Sequence, residues 1–131
     1  MNRTGDLQAI AKARRDDAEA LVKAGRHDGA VYLCGYAVEI ALKARICQTL
    51  SWTGYPSTKG EFDGYQSFRT HDLDVLLHLS GVETTVKTRH LAEWSVVATW
   101  DPSARYRPIG SASAQDAADM LKSVTNILAV L

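Results

Sequence analysis

The stretch Tyr32 to Ala44, Tyr-Leu-Cys-Gly-Tyr-Ala-Val-Glu-Ile-Ala-Leu-Lys-Ala, constrains the fold more than any other part of the chain. At about 100° per residue, Ala30, Leu33, Ala37, Ala41 and Ala44 share one helical face. Val38 and Leu42 widen it on one side, Ile40 and Cys47 on the other. Only a narrow polar stripe remains. Glu39 and Lys43 lie on it one turn apart, an order that suits a helical ion pair of ~0.2–0.5 kcal/mol when exposed. A helix apolar on most sides is packed from several directions, so this one is central. A carboxylate inside it is costly unless bonded, so Glu39 is either structurally paired or functional.

The chain has 131 residues, the size of one domain with its own core. Its 15 basic and 15 acidic residues cancel, which excludes the broad basic surface of a generic nucleic-acid binder but not a local arginine cluster. The opening residues carry no signal-peptide pattern, and no apolar run reaches membrane-span length. Cys34 and Cys47 fall on one helix, roughly 20 Å apart at 1.5 Å per residue, too far to bridge. They read as buried thiols in a reducing, cytoplasmic compartment, with no membrane partner.

Turn and capping signals divide the chain into four long helices and one short one. The first runs from an Asp6 cap to about Ala24 and stops at Gly25. The central helix runs from an Asp28 cap to about Leu50, and its short connection to the first makes the two antiparallel neighbours. Residues 51–70 are punctuated by Gly and Pro yet rich in aromatics: Trp52, Tyr55, Phe62, Tyr65 and Phe68. These rings either pack the loop onto the bundle or serve in binding. A short helix spans Asp72 to Ser80, and a fourth runs from about Glu83 to Trp100, ended by Asp101-Pro102. After the polar turn 103–110, Ser113 and Asp116 form a capping-box-like start to a last helix reaching Leu131. No β alternation appears. The expected fold is all-α, an antiparallel up-and-down bundle in a single domain, 1–131.

The central Ala-Val-Glu-Ile-Ala-Leu-Lys-Ala resembles the HEPN family of small helical domains. So do a preceding helix ending in Gly25-Arg26, the Thr70-His71-Asp72-Leu73 start of a short helix, and Trp100 followed by Arg105-Tyr106 before the last helix. The resemblance covers nearly the whole chain. It implies a bundle of four to five helices, commonly a homodimer, without a cofactor. It also implies either a metal-independent ribonuclease or a non-catalytic module that binds RNA, a nucleotide or a partner protein. That partner is often a small nucleotidyltransferase in a toxin–antitoxin pair. Active members carry Arg and then His after four to six intervening residues, the His for proton transfer and the Arg to stabilise phosphate charge. Here those positions hold Gly110, Ser111 and Ala112 after Arg105, and Ala112, Ser113 and Ala114 after Arg107. The resemblance therefore implies a binding module, with a rearranged ribonuclease as the alternative.

The candidate binding residues are Arg105, Tyr106, Arg107 and Lys43. The two arginines lie just before a helix N-terminus, a setting that suits phosphate, though Asp116 and Asp119 already complement that dipole. The competing reading pairs them with acids such as Asp101 or Asp116. His71 and Glu39 are the weak catalytic candidates. Imidazole changes charge near neutrality and serves acid–base chemistry, but a His at a helix start commonly makes a structural hydrogen bond. Glu39 and Lys43 can also form a polar cluster with Tyr32, Tyr36 or Arg105. His71 and His78 stand two turns apart, roughly 10 Å, too far to share a metal unaided. His90, on one stripe with Val86 and Trp94, reads as a core or interface residue. No metal site and no phosphate-binding glycine loop is expected.

Overall fold

The structure, a computed structural model, describes all residues from Met1 to Leu131. At its centre is α2 (His27–Leu50). Ala30, Cys34, Ala37, Val38, Leu42 and Ile46 of this helix are all inaccessible to solvent. It packs on α1 (Thr4–Lys23), α3 (Leu73–Leu79) and α6 (Ala114–Leu128). Two further short helices, α4 (Glu83–Arg89) and α5 (Leu91–Val97), complete an all-α chain. α5 lies on α6. No helix is long and apolar enough to cross a membrane.

Local chemistry explains several boundaries. α1 ends where Gly25 takes φ 73°, with Gly25 N–H donating to the Val22 carbonyl and Arg26 N–H to that of Leu21. This double closure needs a left-handed residue at that point. Asp72 caps α3 by accepting from Val75 N–H. Ser113 and Asp116 form the full reciprocal capping box of α6.

Other boundaries differ from expectation. α1 starts at Thr4, not at an Asp6 cap, because residues 2–3 (β1) pair antiparallel with Gly54–Tyr55 (β2) and lead straight into the helix. Thr4 N–H then donates to the Thr53 carbonyl, which leaves Asp6 in the first turn to complement the dipole. Asp28 does not cap α2 either. Its carboxylate reaches across the fold to accept from Gly110 N–H at 2.7 Å and Ala112 N–H at 2.9 Å. The fourth helix is two helices, broken at His90 with φ −133° and ψ 35°. Val86 before the break and Trp94 and Val97 after it are all buried, and the Trp94 indole N–H donates to Asp74 of α3 at 2.9 Å. Threonines at 84, 85 and 88 and Val86 weaken helix propensity just before it. The last helix ends at Leu128, three residues short of the expected Leu131.

The aromatic loop packs onto the bundle. Tyr55 and Phe62 are buried, and the Tyr55 hydroxyl donates to the Phe68 carbonyl at 2.5 Å. Trp52, Tyr65 and Phe68 meet at ring-centroid distances of 5.0–6.2 Å. Burial pushes the Tyr55 phenol well above its ordinary range.

Candidate site: the polar stripe of the central helix and the Arg-Tyr-Arg turn

Tyr32, Tyr36, Glu39 and Lys43 recur at steps of four, three and four, so they run along one side of α2 over about 16 Å. Glu39 is only 4% exposed. Its Oε1 lies 2.7 Å from His71 Nδ1 and its Oε2 3.6 Å from Lys43 Nζ. The buried carboxylate therefore has two partners, as burial demands. An Nδ1–H donating to Glu39 leaves Nε2 as the free ring nitrogen, and the His71 side chain is 64% exposed. Lys43 is held by Glu39 and sits 5.3 Å from the Tyr55 ring centroid, which ties it to the structural aromatic cluster.

Toward the other end of the stripe, the Tyr32 and Tyr36 hydroxyls are 3.4 Å apart and their rings meet edge-on. The hydrogen bond shared with Tyr32, in which the Tyr36 hydroxyl keeps its proton, raises the Tyr36 phenol above its ordinary value, with burial and then the charge of Glu39 adding to it, while Arg105 opposes. Tyr36 in turn packs edge-on against Trp100 at 5.0 Å. Trp100 lies directly on Gly35: a Cβ there would fall 2.0 Å from its ring. Only glycine allows this approach, and it fixes where the chain leaves α5 for the turn.

The turn itself is a 3-10 segment, Pro102–Tyr106, capped by the Asp101 carboxylate accepting from Ser103 N–H. The Arg105 guanidinium lies 4.8 Å from the Tyr106 ring centroid and donates to the Pro102 carbonyl. It makes no ion pair with an acid. Contact with Tyr106, and then with Tyr32, holds its pKa above the usual arginine value. Arg107 approaches Asp101 at 3.9 Å with both side chains half exposed, a weak pairing. Tyr106 is 78% exposed.

At the start of α6 the capping box uses two amides, those of Ser113 and Asp116, and places a carboxylate there. The Ser113 amide and hydroxyl hold that Asp116 carboxyl below its ordinary range. What lacks an acid partner is the Arg105 guanidinium, which rests on the exposed Tyr106 ring. Beside it a cleft of about 420 Å³ opens between α2, α5 and α6.

The remaining candidates separate. His78 pairs with Glu83 at 3.3 Å and not with His71. His90 is partly buried at the α4–α5 break. No group of three His, Cys, Asp or Glu side chains converges to hold a metal. Cys34 and Cys47 are free and buried, and burial pushes the Cys34 thiol up to about 12, which leaves it unreactive. Asp28, Trp100 and the cleft were not foreseen as parts of the site. Gly35, a lone glycine in the most buried helix, was the signal available for Trp100. No family model, curated protein or solved structure matches this chain.

Proposed function

We propose that the chain is a HEPN-like binding module. In this reading it is an antiparallel up-and-down bundle, a homodimer in the cytoplasm, and binds single-stranded RNA or a nucleotide through Arg105, Tyr106 and Arg107. The observation that carries the reading is the unpaired Arg105 guanidinium stacked against the exposed Tyr106 ring. A cation beside an uncovered aromatic face suits a phosphate and its neighbouring base, because stacking tolerates every base and the charge tracks the backbone. The element order supports the resemblance: Thr70-His71-Asp72 leads into a short helix, and Trp100 precedes the Arg-Tyr turn before the last helix. By the same resemblance, a small nucleotidyltransferase is the proposed protein partner.

Fluorescence anisotropy with labelled single-stranded RNA tests this directly. Arg105→Ala/Arg107→Ala is expected to weaken binding and to flatten its salt dependence by roughly two released counterions. A wild-type protein that binds neither RNA nor nucleotide contradicts the reading.

A second reading, a metal-independent ribonuclease of the toxin type, is favoured by the Glu39–His71 bond. A buried carboxylate that fixes one imidazole nitrogen and leaves the other exposed is the arrangement acid–base catalysis uses. It predicts RNA cleavage that survives EDTA and is lost in His71→Ala. Absence of cleavage leaves the binding module as the sole reading.

A further inference from the structure

We propose that the cleft beside the Arg-Tyr-Arg turn is a base pocket selective for guanine; this rests on the RNA-binding reading and names what that site selects. The cleft, about 420 Å³, is of small-ligand size. Val31, Val96 and Met120 give it apolar walls, and Tyr32 adds an aromatic one. These suit the flat faces of a base. Arg107 lines the same cleft, two residues from Arg105, so a phosphate held by the turn carries its base to the opening.

The polar groups then decide which base fits. Three carboxylates line the cleft: Asp28, Asp116 and Asp119. Asp28 is fixed through both oxygens by the backbone amides of Gly110 and Ala112, and Asp116 is fixed in the capping box by the backbone amide of Ser113. Asp119, on the second turn of α6, bonds only the Gln115 side-chain amide at 2.7 Å. That bond uses one of about four lone-pair sites on the carboxylate. A carboxylate is acceptor-only and offers two oxygens side by side. Guanine matches it with adjacent N1–H and N2–H donors, making a bidentate charged pair. Adenine and cytosine each offer one exocyclic amine there. Uracil sets its single imide N–H between two carbonyls, which the carboxylate repels.

The test is calorimetric titration of the full chain with the 5′-monophosphates of guanosine, inosine and uridine. Inosine lacks only the N2 amine. Wild type is expected to prefer the guanosine nucleotide over the uridine one by about tenfold or more, with the inosine nucleotide between them. Asp119→Asn, at an exposed position that leaves the core untouched, should bring the three to equal affinity. Arg107→Gln should weaken all three alike and keep their order. Equal affinities in wild type, or a preference that survives Asp119→Asn, overturn the base pocket while leaving RNA binding by the turn intact. Failure of wild type to bind any nucleotide or any RNA overturns both.

Discussion

Two irregular segments of this chain look alike in composition and behave differently. Residues 51–72 and 101–113 are both broken by Pro and Gly, both link helices, and both carry aromatic side chains, five in the first and Tyr106 alone in the second. The first folds inward: Tyr55 and Phe62 are buried and the remaining rings stack around them. The second turns its one ring and its cations out, with Tyr106 78% and Ile109 100% exposed. A ring that has found a core partner stabilises the protein. A ring left in water beside a guanidinium contributes little to the fold, and the proposed function gives it a ligand to stack on.

This contrast predicts opposite mutational responses. Tyr55→Ala should cost about 3–5 kcal/mol in chemical denaturation, the range for emptying a buried aromatic site. Tyr106→Ala should change stability by no more than about 0.5 kcal/mol. A large loss of stability at Tyr106 would erase the distinction.

Gly35→Ala comes next. Its methyl group would overlap the Trp100 ring, which anchors the start of the outer segment. A loss of about 1–3 kcal/mol is expected, together with a shifted Trp100 fluorescence. An unchanged protein would mean that Trp100 does not hold this segment in place.

The third concerns affinity. Tyr106→Ala should weaken RNA binding by about 1–3 kcal/mol, the value of one stacked base, whereas Tyr65→Ala, the most exposed ring of the inner loop, should leave affinity unchanged. Anisotropy titrations of the two variants side by side check this.

The smallest effect is on pH. Asp28, Asp101 and Asp116 frame the outer segment, and each is held below its ordinary value, Asp28 by the Gly110 and Ala112 amides first of all. A carboxyl whose folded pKa is depressed contributes fully above its unfolded value of about 3.9 and loses that contribution as pH falls through the folded one. Hydrogen-exchange protection at Gly110 and Ala112, taken relative to the intrinsic rate at each pH, should therefore fall below about pH 4, ahead of the amides packed around Tyr55. Asp28→Asn should produce the same loss of protection at neutral pH, because an amide oxygen replaces only one of two acceptors.

What could be read from the chain was local. Gly25 as a stop and the Ser113/Asp116 box each rest on residues within three or four positions, and each forms as expected, whereas Asp72, read as the first residue of the short helix, is its cap. The central helix was legible because burial on several sides leaves a periodic mark. Glu39 stood out in it, but its partner His71 lies 32 residues away, and spacing does not reveal such a pairing. The same holds for Asp28, whose amide partners are 82 and 84 residues distant, and for the two-residue strands β1 and β2. The break at His90 carries no Gly or Pro. Val86, His90 and Trp94 keep helical spacing across it, so hydrophobic periodicity carries no mark of the break.

Amide chemical-shift mapping of the labelled protein during titration with a short single-stranded RNA tests the central claim most directly. Binding by the outward-facing turn predicts perturbations concentrated at residues 101–109 and around Tyr32, with residues 51–68 silent. Perturbations centred on the inner aromatic loop, or none anywhere at saturating RNA, would contradict it.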